Sequence, residues 1–280
     1  MSRESIIANP GKFKSGITAT AEYRREMQKE LEPRKGIRRA VKFGALACEA
    51  AARTSQGYET KESAVYRLIS HIDSFSDSQE KLDHFRNLER QGVYIHFTQK
   101  EPHLREVIGF NHAVKELVDL DQNIRFNELV TFIAGTYEGQ HVFELNRLDA
   151  KAKQDKLAWL RTSVQVALNG MRHELAYEQI LGELQARGID LEYDSTTEDD
   201  ELHGTDYFVT LDGIRRKIDV KASPHGLKMP HHVWSQVRYG RQSDGKMIDE
   251  FNNGFRITPE LVAQKADAVL ADLQYIAKIA

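Results

Sequence analysis

The stretch 204–223 reads GTDYFVTLDGIRRKIDVKAS, and it decides the fold that the sequence predicts for this chain. Two runs rich in β-forming residues, 206–211 and 217–222, lie on either side of Asp212–Gly213. An Asp-Gly pair between two such runs is the strongest short-range signal for a β-hairpin. The stretch is therefore predicted to form two antiparallel strands joined by a tight turn.

Three charged residues of this hairpin are predicted to lie together. Asp206 and Asp219 are equally far from the turn, so strand pairing brings their carboxylates side by side. Lys221 projects from the same face as Asp219 because strand residues alternate between the two faces. Neighbouring ionised carboxylates repel each other and are tolerated mainly where a cation lies between them. Since hard oxygen ligands favour Mg²⁺, or Mn²⁺, over Zn²⁺, the hairpin is predicted to hold Mg²⁺.

The elements around the hairpin predict an α/β unit, because helical and strand patterns succeed one another along it. Glycine is unfavourable in a helix interior by about 1 kcal/mol, which predicts a break in the long helix before the strands. The expected elements are a helix over 149–188 that breaks at Asn169–Gly170 and ends at Gly188, strands over 189–193, 206–211 and 217–222, a short helix over 231–239, and a last helix opened by Thr258 and Pro259.

The first half of the chain is predicted to be mainly helical. Its expected elements are helices over 37–53, 61–74, 78–91, 111–120 and 124–134, and one short strand over 93–98. We expect two domains, a mainly helical region over 1–148 for recognition or partner binding and an α/β domain over 149–280.

Composition restricts the class of protein. Hydrophobic residues make up 40% and charged residues 29% of the chain, which is typical of a globular protein with a buried core. The single cysteine, Cys48, excludes an intrachain disulfide and a thiolate zinc cage. The chain starts without a secretory apolar segment and holds no run of about 18 apolar residues that could span a membrane. The expected location is a reducing, cytoplasmic compartment, without membrane association.

Charge is unevenly distributed, although the formal net charge is only −3. Residues 192–201 include six acidic and no basic residues, whereas 214–246 include eight basic and two acidic residues. Such alternation is typical of solvated surface, and it is also what an acidic metal site flanked by phosphate-contacting bases would show. The basic residues expected to contact nucleic acid are Arg215, Arg216, Lys217, Lys228, Arg238 and Arg241.

A helix glutamate, an aspartate at a strand start and (D/E)-x-K on the next strand form the pattern of the PD-(D/E)XK nuclease superfamily. The stretch 165–240, in which the helical run NGMRHELAYEQILGELQARGIDLEY precedes the hairpin, resembles the restriction-endonuclease-like and RecB-like cores of that superfamily. Thr205 stands where the family has a proline. Gln236-Val-Arg-Tyr239 resembles a glutamine–tyrosine motif of RecB-like members at a different spacing, which implies that Gln236 also contacts nucleic acid. The resemblance implies a mixed sheet flanked by helices.

The resemblance also implies a role for each residue of the motif. Lys221 would orient or polarise the attacking water. The implied metal ligands and acidic catalytic residues are Asp206, Asp219, the backbone carbonyl of Val220, and one of Glu174 and Glu178, which lie one helical turn apart.

The function implied by the resemblance is metal-dependent hydrolysis of phosphodiester bonds. A DNA endonuclease of restriction or repair type is favoured over an exonuclease, and a homodimer is expected because duplex cleavage needs two cuts. The alternative is a catalytically silent nucleic-acid-binding or assembly protein that retains the fold. His225, His231 and His232 are interpreted as structural or surface residues, with phosphate contact or acid catalysis as the alternative.

Overall fold

A computed structural model describes residues 61–194, 206–227, 229–241 and 244–279. The predicted helix over 37–53 and the predicted contact residue Lys228 lie outside these ranges. Within them, the chain forms six α-helices, a four-stranded mixed sheet and a separate two-stranded sheet. The predicted α/β class is therefore confirmed.

Most helices precede the strands, and one helix follows them. The helices are α1 (Lys61–Arg90), α2 (Phe97–Leu120), α3 (Phe126–Gln140), α4 (Val142–Arg147), α5 (Ala150–Ala186) and α6 (Pro259–Ile279). The strands are β1 (Leu191–Asp194), β2 (Tyr207–Leu211), β3 (Ile214–Lys221), β4 (His232–Trp234), β5 (Tyr239–Arg241) and β6 (Met247–Asp249). None of the described helices is both long and apolar enough to cross a lipid bilayer.

The described residues divide into two compact units. The helical unit comprises 61–121 and 127–165, and the α/β unit comprises 122–126 and 166–279. Helix α5 supplies residues to both units, since its first part falls in the helical unit and its second part in the α/β unit.

Helix α1 is one uninterrupted helix, so the prediction of two helices over 61–74 and 78–91 is wrong. Its middle is held by burial: Phe75 is fully buried and stacks on Phe110 of α2, with ring centroids 4.1 Å apart. Ser76 is also buried in this stretch. Tertiary packing therefore outweighs the weak helix preference of the serine-rich sequence.

The predicted strand over 93–98 does not form. Residues 93–96 are irregular, and Phe97 begins α2. Val93 is 46% and Tyr94 84% exposed, so the β-forming side chains bury no apolar face. A strand also needs a partner for its backbone hydrogen bonds, and alternation over six residues does not supply one.

The predicted hairpin is confirmed. Strand β2 pairs antiparallel with β3, and Tyr207 lies opposite Ile218. Asp212 and Gly213 connect the strands with φ angles of 51° and 76°. Two positive φ angles in a two-residue connection belong to the mirror-image turn whose twist matches that of the flanking strands.

The four-stranded sheet has the order β1-β2-β3-β4. Strands β1, β2 and β3 are successively antiparallel, whereas β4 is parallel to β3. Parallel neighbours need a longer connection than a hairpin loop. The connection here passes through a short 3₁₀ turn at Pro224–Gly226.

One face of this sheet is buried against two helices. Its inward side chains are Tyr207, Val209, Leu211, Ile218, Val220 and Val233. The same apolar cluster contains Tyr177, Ile180, Leu181 and Leu184 of α5, and Val262, Ala266, Val269 and Leu273 of α6. Because strand residues alternate, Lys217, Asp219 and Lys221 project from the other side, which we call the charged face.

Helix α5 continues through Asn169–Gly170, so the predicted break is wrong. The residues on both sides of the glycine are buried: Leu168 and Arg172 have no exposed surface, and Met171 is 3% exposed. Burying such side chains stabilises by more than the roughly 1 kcal/mol that glycine costs in a helix interior.

The predicted short helix over 231–239 is also wrong, because this stretch forms β4 and the start of β5. Val233, Ser235 and Val237 are buried while their neighbours are not, which is the two-residue period of a strand. Pairing with β3 supplies the backbone partners that a helix would have supplied internally.

The predicted ends of α5 and α6 are confirmed. Gly188, which follows α5, has a φ of 81°, as expected for a residue that terminates a helix. At the start of α6, Thr258 Oγ1 accepts a hydrogen bond from the backbone N–H of Leu261 at 3.4 Å, and Pro259 is the first helical residue.

Gly170→Ala is expected to stabilise the protein. A Cβ atom at this position would lie 3.9 Å from Glu174 Oε1, an ordinary contact. Since alanine is favoured over glycine in a helix interior, the free energy of unfolding in urea should rise by about 1 kcal/mol. Gly213→Ala is the matched control, because positive φ disfavours a side chain and the same measurement should fall by about 1 kcal/mol. A loss of stability in Gly170→Ala would contradict the unbroken helix.

Candidate metal centre

Parallel pairing of β3 with β4 brings two histidines to Asp219. Asp219 lies opposite His232 in the register, and its backbone N–H donates to the His231 carbonyl at 2.9 Å. Two residues on, Lys221 lies opposite Trp234, and its carbonyl accepts from the Ser235 N–H at 3.2 Å. The backbone ladder therefore fixes which side chains surround Asp219.

The Asp219 carboxylate is the electrostatic centre of this cluster. The Lys221 ammonium forms a hydrogen-bonded ion pair with its Oδ2 atom. His232 Nε2 lies 3.3 Å from the same oxygen. The Asp219 and Lys221 side chains are only 17% and 29% exposed, so water screens this cluster less than it screens a surface ion pair.

Asp219, His231 and His232 form a set of potential metal ligands. Their donor atoms all lie within 4.8 Å of one another. In the described part of the chain this is the one group of three or more such residues, and it contains neither Asp206 nor a glutamate of α5. The two histidines were not predicted as ligands, although their position just after the D-x-K motif was the signal that could have indicated them.

The two imidazole rings stand nearly perpendicular to each other, with centroids 4.9 Å apart. His232 Nδ1 lies 3.1 Å from the carbonyl oxygen of Gly226, which can only accept a hydrogen bond. Burial and the positive charges of Lys217, His232 and Lys221 lower the pKa of His231, against the opposing effect of Asp219. His231 is therefore favoured in the neutral form that can donate a lone pair to a metal.

Asp206 lies beside β3, one residue beyond the last registered pair of the hairpin. Its backbone N–H donates to the Ile218 carbonyl at 3.1 Å, and its Oδ2 accepts from the Val220 N–H at 2.6 Å. The hairpin thus places Asp206 where the register predicts, across from Asp219. The Val220 side chain is buried in the core, and its carbonyl remains a predicted ligand.

Glu174 and Glu178 approach the sheet from its buried face. The Tyr207 hydroxyl donates to the Glu174 carbonyl oxygen at 3.2 Å and lies 3.3 Å from Glu178 Oε2. Burial, together with the negative charges of Glu178, Glu174 and Asp206, raises the pKa of Tyr207 well above its usual range. The Tyr207 hydroxyl therefore lies beside both glutamates of α5, with the Glu174 backbone carbonyl and the Glu178 carboxylate as its contacts.

The Lys221 stem is held by a close backbone approach. A Cβ atom at Gly226 would lie 3.1 Å from Lys221 Cβ, which is tighter than nearly all contacts between side chains. Glycine is therefore the residue that lets the 3₁₀ turn pack on the lysine, and the same turn supplies the carbonyl that meets His232. One turn thus orients two residues of the centre.

The residues predicted to contact nucleic acid differ in their surroundings. Arg215 is exposed, 3.2 Å from the Asp194 carboxylate, and its guanidinium lies over the Phe208 ring. Arg216 Nη1 donates to the carbonyl of Arg215 at 2.9 Å. Gln236 donates to Asp272 of α6 at 2.8 Å, which directs its amide toward the helix.

Arg238 and Arg241 line a recess of about 340 Å³ beside the centre, together with Trp234 and Tyr239. Trp234 lies next to Lys221 across the β3–β4 pair, so the recess adjoins the charged face. The indole N–H of Trp234 is buried, and no hydrogen-bond partner exists for it within the described ranges. The recess therefore combines two cations and two aromatic rings.

A buried arginine anchors the recess to α5. The Arg172 guanidinium lies 3.9 Å from the ring centroid of Phe126, 4.1 Å from that of Tyr239 and 4.5 Å from that of Phe251. Its Nη2 donates to Asn169 Oδ1 at 2.8 Å. A desolvated cation between aromatic faces is stabilised by about 2 kcal/mol, and here the interaction fixes the ring of Tyr239.

Comparison with known proteins adds no relative: no protein-family model matches the chain, and neither curated proteins nor solved structures match it significantly. The functional interpretation therefore depends on the residues of the centre themselves.

His173→Asn is expected to remove part of the pH dependence of stability. His173 is buried with Nδ1 2.6 Å from Ser235 Oγ, and burial, followed by the charge of Arg172, lowers its pKa to about 4. The unfolded state, with a pKa of about 6.5, therefore binds the proton more readily. The contribution of neutral His173 to the free energy of unfolding is therefore complete above pH 6.5 and is lost as the pH falls toward 4.

The free energy of unfolding, measured in urea, should fall between pH 7 and pH 5 in both proteins. The fall should be about 2 kcal/mol larger in the wild type than in the variant. The comparison with the variant removes the contribution of carboxylates that titrate in the same range. Equal losses in the two proteins would show that His173 is not held neutral.

Proposed function

We propose that the α/β unit is a metal-dependent nuclease that hydrolyses phosphodiester bonds, with DNA favoured as the substrate and endonucleolytic cleavage of restriction or repair type as the reaction. The observation that carries the proposal is the pairing of Asp219 and Lys221 on the charged face, with Asp206 opposite in the hairpin and two histidines alongside. An acid that can ligate a cation and a lysine that can contact a nucleophile are thus adjacent.

The residues fit a divalent cation. The Asp219 carboxylate is partly buried and lies against a positive charge, the Lys221 ammonium. Carboxylate oxygens of this kind are ligands that Mg²⁺ or Mn²⁺ accepts. A bound cation would supply the Lewis acid and the charge neutralisation that phosphodiester hydrolysis needs. Asp206, one strand away, is the second carboxylate within reach of the charged face.

Lys221 has the position of a group that orients the nucleophile. Its ammonium is a compact point charge with three donors, and Gly226 restricts its stem. In the proposed reaction Lys221 holds the attacking water beside the scissile phosphate and stabilises the negative charge that develops there.

The recess lined by Trp234, Arg238, Tyr239 and Arg241 is the proposed binding surface for the strand next to the scissile phosphate. Arginines neutralise phosphates, and aromatic faces stack on bases. Lys217 extends the positive charge along β3 on the same face as Lys221.

A catalytically silent nucleic-acid-binding or assembly protein is the second candidate. It is favoured by one observation: the Lys221 ammonium forms an ion pair with Asp219, so the chain's own lysine can balance the charge of this carboxylate. The two candidates differ in one outcome, since a silent protein would bind nucleic acid and leave it intact with every metal.

Asp219→Asn and Lys221→Ala are expected to abolish cleavage for different reasons. Asparagine keeps the shape of aspartate but removes the charge that a hard cation requires, so Asp219→Asn should lose cleavage through weakened metal binding. Lys221→Ala should lose cleavage while its metal affinity changes much less. The measurement is cleavage of plasmid, single-stranded DNA and RNA with Mg²⁺, Mn²⁺ or EDTA, combined with calorimetric metal titration.

Asp244→Asn is the matched control, because Asp244 is an exposed acid of the same unit whose carboxylate caps the Lys246 N–H. This variant should cut at the wild-type rate. Wild-type cleavage by Asp219→Asn in chelator-treated buffer refilled with Mg²⁺ would end the nuclease proposal at this site.

Replacing Arg238 or Arg241 with alanine is expected to weaken nucleic-acid binding. Each lost phosphate contact should reduce the slope of log K against log salt by about one unit, which fluorescence anisotropy at several salt concentrations measures. Arg187→Ala is the control, because the Arg187 guanidinium already binds Glu183 and Asp267. A slope unchanged in both recess variants would remove this surface from the proposed interface.

A further inference from the structure

We propose that Asp219, His231 and His232 form a mixed oxygen–nitrogen site that binds a transition-metal ion, such as Mn²⁺ or Co²⁺, in preference to Mg²⁺. This deepens the proposed function, on which its catalytic meaning rests. The binding itself depends only on the three side chains, whose donor atoms lie within 4.8 Å of one another.

The orientation of His232 is that of a metal ligand. Its Nδ1 lies 3.1 Å from the Gly226 carbonyl oxygen, an acceptor, so the ring must carry its proton on Nδ1 to make this bond. Metal-ligating histidines commonly donate one ring N–H to a carbonyl in this way, which directs the other nitrogen to the ion. In His232 that other nitrogen, Nε2, is the atom that faces Asp219.

The orientation also brings His232 Nε2 to 3.3 Å from Asp219 Oδ2. In the protonated ring Nε2 donates to this oxygen, and in the neutral ring it carries a lone pair that faces the carboxylate. A metal ion bound to both atoms takes the place of that proton. His231, the residue before His232, supplies the third donor atom from its imidazole ring. Its backbone is held beside Asp219 by the hydrogen bond from the Asp219 N–H to the His231 carbonyl.

The donor set selects the class of metal. Mg²⁺ prefers oxygen ligands and retains its waters, whereas imidazole nitrogen suits later divalent ions, whose affinity rises from Mn²⁺ through Co²⁺. The all-oxygen site that the sequence predicted is thus replaced around Asp219 by one carboxylate and two imidazoles. Three protein ligands on a half-buried surface leave coordination positions for water or a phosphate oxygen.

The test is calorimetric titration of the full chain, stripped with EDTA, with Mn²⁺, Co²⁺ and Mg²⁺ in separate experiments. In its separate titration, each of Co²⁺ and Mn²⁺ should bind to the wild type with a stoichiometry of one ion per chain. Each should bind more tightly than Mg²⁺ does. His231→Asn and His232→Asn should each weaken Co²⁺ and Mn²⁺ binding by at least about tenfold, because losing a ligand costs no less than losing a residue that orients one. Their Mg²⁺ affinity should change less.

Asparagine is chosen because its amide N–H can replace Nδ1–H toward the Gly226 carbonyl while Nε2 is removed, so the local fold is retained. Circular dichroism and thermal unfolding check this retention. His225→Asn is the matched control, since His225 is an exposed histidine of the neighbouring 3₁₀ turn and is not part of the group. Its titrations should equal those of wild type.

Unchanged Co²⁺ and Mn²⁺ binding in both folded histidine variants, or an equal loss in His225→Asn, would overturn the inference. Tighter binding of Mg²⁺ than of Mn²⁺ by the wild type would overturn it as well. A protein that binds Co²⁺ through the histidines but leaves all nucleic acids intact would support the metal site and contradict the proposed nuclease activity. Cleavage by a double histidine variant whose Mn²⁺ and Co²⁺ affinities equal those of wild type would support the nuclease and contradict this inference.

Discussion

The register of the β2–β3 hairpin is the constraint on which the rest of the α/β unit depends. Asp212 and Gly213 close the turn with positive φ angles, and this turn sets Tyr207 against Ile218. A slip by one residue would turn Ile218 outward and direct Asp219 into the apolar core. Burying an unpaired carboxylate is strongly unfavourable, so the turn and the core specify the same register.

The sheet then separates two environments. Helices α5 and α6 bury one face, and the charged face carries the Asp219–Lys221 pair. Strand β4 completes the cluster, because its parallel pairing places His232 beside Asp219 and Trp234 beside Lys221. A rigid apolar layer thus supports the side chains that, in the proposed function, would bind a cation and a phosphate.

Local sequence signals predicted the parts that local chemistry controls. The Asp-Gly turn and the Thr-Pro start of α6 were predictable because each is specified within a few residues. The pairing of β3 with β4 was not, since the two strands are joined by a long connection and pattern alone does not show which strands become neighbours. His231 and His232 were therefore not predicted as ligands. The unbroken α5 was missed for a related reason: the burial of Leu168 and Arg172, which overrides the cost of Gly170, arises only from tertiary packing.

The measurement that tests the account most directly is anomalous diffraction from crystals of the full chain soaked in Mn²⁺. The account predicts one anomalous peak at the charged face, within about 2.2 Å of an Asp219 oxygen and of a histidine nitrogen, at the distances of bonded ligands. A peak that avoids Asp219, in crystals where this carboxylate is accessible, would contradict the assignment of the hairpin as the metal centre.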